Sequence, residues 1–262
     1  MIDEKTLSEQ SSRFVDLRQL EKDYLLNLLL YEIYKEFNDE LIFKGGTSLK
    51  YFYNLNRFSE DLDFSFNNND YSNKKIMDKV DRALNHVNRQ YNILKREHRG
   101  HKVENNVVGI NYEVKIKGPL YNKHKQMQNI DIDISTRNDV IKPPDIKYLI
   151  PSYMDIPAFT IPVMNINEII AEKVDSIVER DKMRDIYDLY FLLHLKNIRL
   201  DKSLIIKKMK LRNEEFNNKK LLEKINNALK ISTWKSELSY LINPLPDNKL
   251  IVENLIKNFQ EK

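Results

Sequence analysis

The sequence predicts an α+β protein in which a mixed α/β half is followed by an all-helical half. Short runs that alternate between apolar and polar residues indicate strands within the first 163 residues. A proline-rich stretch interrupts this pattern between residues 140 and 162, and apolar residues recur at helical spacing from Ile166 onwards. We therefore expect one domain over residues 1–163 and a helical domain over residues 164–262.

Periodicity predicts the first elements in order. Residues 17–37 carry apolar side chains three and four positions apart, which is typical of a long amphipathic helix. The short apolar run 41–43 predicts a buried strand that leads into Gly45 and Gly46. Residues 48–53 then open a helix, and the strict alternation of residues 62–66 predicts a second strand.

The remaining elements follow from the same patterns. Residues 72–95 are predicted to be helical, and the histidines His98 and His101 are expected to face solvent in a basic loop. Residues 107–117 and 129–136 are predicted strands. Five prolines keep residues 140–162 extended or loop-like, with at most edge strands. Beyond them, helices are expected over residues 166–180, 185–195, 201–212, 217–230 and 247–259, with Trp234 in the core.

Composition excludes several classes of protein. The absence of cysteine rules out disulfide scaffolds, thiolate zinc sites and cysteine nucleophiles. Apolar stretches are far shorter than the ~18 residues of a membrane span, and the first residues lack a signal-peptide pattern, so we expect a soluble cytoplasmic protein with no membrane partner. The net charge is only +4. Basic stretches at 95–102, 115–125 and 202–224 suit either a solvated surface or contacts to a phosphate backbone.

Two of only five glycines are adjacent, Gly45 and Gly46, between a predicted strand and a predicted helix. Such a pair lets the backbone approach an anion, and the following helix N-terminus offers free N–H groups and a positive dipole. Lys44 precedes the pair, and Thr47 or Ser48 can add a hydroxyl donor. A plain turn explains the glycines equally well, and the spacing is not that of a Walker P-loop.

Carboxylates recur at strand spacing in two places. Alternation puts Asp61 and Asp63 on one face of the second strand, and Asp131 and Asp133 on one face of a later strand. Carboxylates placed side by side repel one another unless a cation lies between them, although an exposed strand face also tolerates them. Together with the glycine pair, they predict phosphate binding, two Mg²⁺ sites and a base, which is phosphoryl-transfer chemistry.

The helical half adds charged residues along an apolar helix stripe. A salt-bridged helical hairpin accounts for them as a structural feature. Alternatively, a triphosphate would be held by three cations, and two carboxylates would orient these cations or a nucleotide ring: Lys173, Arg180 and Arg184, with Asp185 and Asp188.

Four segments together resemble the AbiEii/AbiGii toxin family, which belongs to the DNA-polymerase-β-like nucleotidyltransferases and includes the MenT toxins. They are Phe43-Lys44-Gly45-Gly46-Thr47-Ser48-Leu49, Arg57-Phe58-Ser59-Glu60-Asp61-Leu62-Asp63-Phe64, and Ala171-Glu172-Lys173 with Arg180-Asp181-Lys182-Met183-Arg184-Asp185-Ile186-Tyr187-Asp188-Leu189. The similarity extends over residues 40–195.

The resemblance implies a small mixed-sheet nucleotidyltransferase core flanked by helices, with the helical domain completing the active-site cleft. It implies that Asp61 and Asp63 bind metal, and that Asp131 or, as we favour, Asp133 supplies the third carboxylate. Gly46 and Ser48 would contact the nucleotide phosphates and Lys173 a phosphate. Either Asp185 or Asp188 would be needed for activity.

Members of this family are toxins of toxin–antitoxin or abortive-infection systems that defend against phage. The resemblance therefore predicts a Mg²⁺-dependent enzyme that transfers a nucleotide from an NTP to RNA, with tRNA as the expected acceptor, and has a cognate antitoxin as partner. Two alternatives remain: an enzyme of the same fold that modifies a protein or a small molecule such as an aminoglycoside, and a non-catalytic nucleotide-binding regulator.

Overall fold

The structure is a computed structural model that describes residues 2–67, 72–103 and 106–260 of the 262-residue chain. The predicted α+β class is confirmed. The chain divides into two compact units, and each contains segments that are distant in sequence. The first unit is formed by Met1–Phe52, Ser59–Asn138 and Pro144–Val163, and the second by Tyr53–Phe58, Asp139–Pro143 and Met164–Lys262.

The first unit contains a mixed sheet, which has seven strands in the described part of the chain and the order β3-β4-β5-β2-β1-β7-β6. Strand β2 runs parallel to β5, and β1 runs parallel to β7. The other neighbours are antiparallel. The strands are β1 (Leu41–Lys44), β2 (Leu62–Phe66), β3 (Asn92–Val103), β4 (Asn106–Lys117), β5 (Gln128–Ser135), β6 (Asp145–Leu149) and β7 (Phe159–Val163).

Helices of the first unit are α1 (Glu4–Ser8), α2 (Leu17–Glu36), α3 (Gly45–Tyr53), α4 (Asn73–Gln90) and α5 (Tyr121–His124). The long helix α2 begins where the Asp16 carboxylate accepts hydrogen bonds from the amides of Arg18 and Gln19. Ser72 caps α4 in the same way through the amide of Lys75. These caps explain why both helices begin close to the predicted positions.

Two predictions in the first unit are wrong. The helix predicted over residues 72–95 ends at Gln90, and residues 92–103 form β3 rather than a basic loop. His98 lies within this strand, with its ring 5.7 Å from that of Tyr112 on β4; the side chain of His101 lies outside the described part of the structure. The cause is the long antiparallel pairing with β4, which a local pattern does not reveal.

Prolines did not confine the last strands to the sheet edge. Strand β6 is at the edge, as predicted, but β7 lies between β6 and β1 although it contains Pro162. The recorded register of β7 with β1 is the single pair Phe43–Val163. Pro162 has no backbone N–H to donate, but because β7 and β1 pair at only this one position, no extended ladder between them is interrupted.

The second unit contains the helices α6 (Ile166–Glu179), α7 (Met183–Tyr190), α8 (Lys202–Leu211), α9 (Asn218–Asn226), α10 (Ile231–Leu238) and α11 (Asn248–Gln260). A π-helical turn, Phe191–Leu195, follows α7. Helix α10 was not predicted, whereas Trp234 within it is fully buried, as expected. No helix among the described residues is both long enough and apolar enough to cross a membrane.

Two basic residues of the stretch 202–224, the buried Lys208 and the half-buried Arg212, are engaged in an ionic network within the protein. The fully buried Lys208 ammonium lies 2.7 Å from Glu168 and 3.2 Å from Glu172. Arg212 contacts Glu172, Asp139 and Asp175. We call these residues the Lys208–Arg212 network: Lys208, Arg212, Asp139, Glu168, Glu172 and Asp175. The Glu168 carboxylate also accepts hydrogen bonds from the backbone amides of residues 141 and 142, so the network fixes this segment, which is distant in sequence, to α6.

Candidate active site

The carboxylates of Asp63 and Asp133 lie side by side on the parallel strands β2 and β5, in one register pair. Both residues are half-buried, whereas Leu62, Phe64 and Ile132 on the opposite face are buried. Cross-strand partners project to the same face of a sheet. The register therefore places Asp133, and not Asp131, directly beside Asp63.

Further charged residues lie along this face of the sheet. Lys44 pairs with Asp63 across β1 and β2, and Glu113 pairs with Asp131 across β4 and β5. Burial, Glu113 and Asp63 raise the pKa of Asp131, against the opposing effect of Lys22. Besides burial, the negative charges of Glu113 and Asp63 therefore act on this face of the sheet, and a cation bound there would offset them.

Asp61 lies immediately before β2 and is half-buried. Its backbone is fixed by Thr47, whose hydroxyl donates to the Asp61 carbonyl oxygen at 2.5 Å and lies 2.9 Å from the Ser59 hydroxyl. Thr47 is fully buried, so this hydroxyl is engaged within the protein. The geometry gives Thr47 a positioning role for Asp61.

The glycine pair forms the first turn of α3, which begins three residues earlier than predicted. Gly45 has a positive φ of 73°, a conformation that disfavours any residue with a Cβ. A Cβ at this position would lie 2.0 Å from Oδ2 of Asp63. Ser48 donates its hydroxyl to the Gly45 carbonyl oxygen at 2.9 Å. The pair therefore lets the strand β1 continue directly into a helix while the Asp63 carboxylate packs against its backbone.

Replacing Gly45 with Ala is expected to disrupt the position of Asp63 as well as the turn. The left-handed backbone costs roughly 1–2 kcal/mol for a residue with a Cβ, and the Cβ displaces the Asp63 carboxylate. The loss of nucleotide-transfer activity should then be much larger than the loss of folded protein that the lower free energy of unfolding causes. Urea denaturation combined with a nucleotide-transfer assay measures both quantities. Full activity in a folded Gly45→Ala variant would contradict this reading of the contact.

In the second unit, Lys173 of α6 lies between two buried carboxylates of α7. Its ammonium is 2.8 Å from Asp185 and 2.7 Å from Asp188. Arg57 binds Asp188 with two further contacts of 2.6 and 2.7 Å, and Arg180 lies 3.0 Å from Asp185. The structure thus brings four sequence-predicted residues together with Arg57, to which no role was assigned. We call these five residues the Lys173 cluster.

Opposite charges determine the protonation of the Lys173 cluster. Burial alone would raise the pKa of both carboxyl groups. Arg57 and Lys173 outweigh burial at Asp188 and lower its pKa, and Lys173 and Arg180 hold the pKa of Asp185 well below its usual range. The two carboxylates in turn raise the pKa of Lys173. Three cations face two carboxylates, so the cluster carries one excess positive charge.

Side-chain exposure distinguishes the cations. Arg57 and Lys173 are buried, whereas the Arg180 side chain is 49% exposed. Arg184 is half-buried on α7. Arg180 is therefore the member of the cluster that is open to an anionic ligand. No local signal in the sequence identifies Arg57, because its carboxylate partner Asp188 lies 131 positions further along the chain.

The implied Mg²⁺ matches the donor types of the first unit, since Asp61, Asp63 and Asp133 offer only carboxylate oxygens in a field that favours a cation. Their oxygens do not all lie within 4.8 Å of one another. Within the described part of the chain, that spacing is met by a different group of three acidic residues, Asp175, Glu179 and Glu214 of the second unit.

Comparisons with known proteins match most of the chain. The family model described as "Nucleotidyl transferase AbiEii toxin, Type IV TA system" matches residues 28–262. The fold is similar to that of MenT4, a nucleotidyltransferase toxin from Mycobacterium tuberculosis, with a TM-score of 0.65, 18% identity, and coverage of 99% of this chain and 89% of that one. JHP933 from Helicobacter pylori has a TM-score of 0.57 and 21% identity, with coverage of 94% and 91%. No match was found among curated proteins.

Proposed function

We propose that this chain, which belongs to the AbiEii family of nucleotidyl transferase toxins of type IV toxin–antitoxin systems, transfers a nucleotide from an NTP to an RNA and thereby stops translation. The expected acceptor is tRNA. The observation that carries the proposal is the register pair Asp63–Asp133 beside the Gly45 turn. The paired carboxylates lie next to the N-terminus of α3, and a helix N-terminus is a favourable location for a phosphate.

We propose the following roles for residues of the first unit. Asp61, Asp63 and Asp133 would hold Mg²⁺, which when bound neutralises the charge that develops on the phosphates. Lys44 and the amides of the first turn of α3, at Gly45, Gly46 and Ser48, bind the phosphates. Thr47 acts by holding the backbone of Asp61 in place.

The acceptor hydroxyl oxygen attacks the α-phosphorus, and the bond from this phosphorus to the bridging oxygen of pyrophosphate breaks. The hydroxyl proton passes to the Asp133 carboxylate, and pyrophosphate carries away the bonding electron pair. Asp133, which lies in register with Asp63, is the proposed base or a shared metal ligand.

The second unit contributes positive charge. Arg180 binds an anionic part of the nucleotide through its exposed guanidinium group, with Arg184 on the following helix as a second phosphate contact. Asp185 and Asp188 orient Lys173 and Arg180 rather than react themselves, because their oxygens are already bound to cations. Lys173 is a proposed phosphate contact, as the family resemblance implies.

RNA binding would use exposed lysines of the basic stretch 202–224 and not its buried cations. Lys208 and Arg212 are excluded because they belong to the Lys208–Arg212 network. The exposed members are Lys202, Lys207, Lys210, Lys219 and Lys220. We place the reaction in the cytoplasm, in an abortive-infection or related phage-defence setting, with a cognate antitoxin that restrains it.

A labelling experiment tests this function. Purified protein is incubated with Mg²⁺, total RNA and each of the four NTPs, labelled at either the α- or the γ-phosphate. We expect the α-label in RNA of tRNA size and the γ-label in pyrophosphate. Label on protein or on a small molecule, but not on RNA, would instead favour an enzyme of the same fold that modifies a protein or a small molecule. Binding of NTPs without turnover on any acceptor would indicate a non-catalytic regulator.

A further inference from the structure

Three carboxylates of the second unit converge where helix α6 ends. Asp175 and Glu179 are one helical turn apart on α6, and Glu214 lies in the turn that follows α8. One oxygen of each lies within 4.8 Å of the others. A single ion with oxygen ligands at about 2.3–2.6 Å spans such a separation, so one cation can contact all three.

A second observation concerns Asp175 alone. This residue is fully buried, and its Oδ2 contacts Arg212, but its Oδ1 is a buried atom without a hydrogen-bond partner. A buried carboxylate oxygen without a donor costs free energy unless a ligand satisfies it. Asp175 is also the buried member of the three carboxylates whose oxygens lie within 4.8 Å of one another.

Charge in the surroundings also favours a cation. The three carboxylates adjoin the Lys208–Arg212 network through Asp175. The combined group contains six carboxylates and two cations, so it has four excess negative charges. Repulsion of this size in a largely buried group is relieved by a bound cation or by protons.

We propose that Asp175, Glu179 and Glu214 bind one hard divalent cation of the Mg²⁺, Ca²⁺ or Mn²⁺ class. All three donors are oxygens, which these ions prefer over nitrogen or sulfur. The ion joins the end of α6 to the turn after α8 and supplies the missing partner of the Asp175 oxygen. This site consists of residues other than those proposed for nucleotide transfer, and it does not depend on that function.

The competing explanation is a shared proton. Burial, Asp175 and Glu179 together raise the pKa of Glu214 to about 7, so a proton on Glu214 would also relieve the repulsion. The two explanations differ in what they predict. A cation site responds to the concentration of a divalent ion at constant pH, whereas a proton responds to pH alone.

Calorimetric titration with Mn²⁺ or Ca²⁺ tests the proposal at constant pH. The protein used carries Asp63→Asn and Asp133→Asn, so that these carboxylates do not contribute. We expect one ion per chain and a higher melting temperature with the ion. Adding Glu179→Gln or Glu214→Gln should weaken binding at least ~10-fold, because each removes one charged ligand. Both side chains lie outside the buried core, so these variants are expected to fold.

Glu215→Gln is the matched control, because Glu215 is exposed and adjacent to Glu214. It should bind the ion as the parent does. Equal affinity in the Glu179, Glu214 and Glu215 variants would overturn the proposal, since the ion would then bind elsewhere. A melting temperature that depends on pH near 7, but not on Mn²⁺ or Ca²⁺, would overturn it in favour of the shared proton.

Discussion

Asp63→Asn should abolish nucleotide transfer and the growth arrest caused by expression of the protein. Asn preserves the shape of the side chain but removes the charge that pairs with Asp133 and Lys44 along the sheet. Loss of one group that stabilises charge in the transition state typically costs 10²–10³-fold in rate, and we expect a loss of at least about 100-fold. Incorporation of α-labelled NTP and growth after induction measure the two effects.

The loss is expected without unfolding. Asp63 is half-buried between the carboxylate of Asp133 and the cation Lys44, so its neutralisation removes a repulsion and an attraction that offset one another. We expect the free energy of unfolding to change by less than about 1 kcal/mol. Growth arrest that persists at full strength in the Asp63→Asn variant would show that toxicity does not require this carboxylate.

Asp131 provides a matched comparison that resolves which carboxylate is the third member of the site. Asp133→Asn should be as inactive as Asp63→Asn, whereas Asp131→Asn should retain transfer, because Asp131 pairs with Glu113 and not with Asp63. Neutralising a carboxyl group whose pKa is raised in the folded state should also leave stability unchanged or higher. The opposite order of activities would assign the role to Asp131.

Local patterns were sufficient to predict the elements that present the carboxylates. The alternation of residues 62–66 and 129–136 predicted β2 and β5 to within one residue, because each strand buries one face and exposes the other. The same alternation predicted that Asp61 and Asp63, and Asp131 and Asp133, share faces. It did not predict the register between strands, which depends on pairing over 70 residues of sequence.

Features that depend on distant partners were not predicted. The basic sequence of β3 has no apolar alternation, and its strand conformation follows from pairing with β4. Glycine disfavours helix interiors, so α3 was expected to begin after Gly46, whereas the structure places both glycines in its first turn. Arg57 pairs with Asp188, a residue 131 positions away, so only the three-dimensional structure identifies it as a member of the Lys173 cluster.

Removal of Asp188 should destabilise the protein more than removal of Arg57. The Asp188→Ala variant removes both contacts of Asp188 with the buried Arg57 guanidinium and also one partner of Lys173. Breaking a buried ion pair in this way costs about 3–5 kcal/mol. Arg57→Met leaves Asp188 bound to Lys173 at 2.7 Å, so its cost should be smaller. Urea denaturation of the purified variants measures both.

A double variant and a surface ion pair serve as controls for this difference in stability between the two single variants. Arg57→Met/Asp188→Ala should be less destabilised than the sum of the single variants, because each single variant breaks the same Arg57–Asp188 ion pair and the double variant loses it once. Asp181→Ala is the matched control: it breaks a pair with Lys224 of similar length, 2.9 Å, but Asp181 is 54% exposed, so the cost should be below about 1 kcal/mol. If Asp188→Ala and Asp181→Ala prove equally stable, burial of Asp188 between two cations does not stabilise the second unit. If Asp188→Ala does not fold, recovery of soluble protein in the double variant still tests the argument, since only the double variant removes both charges.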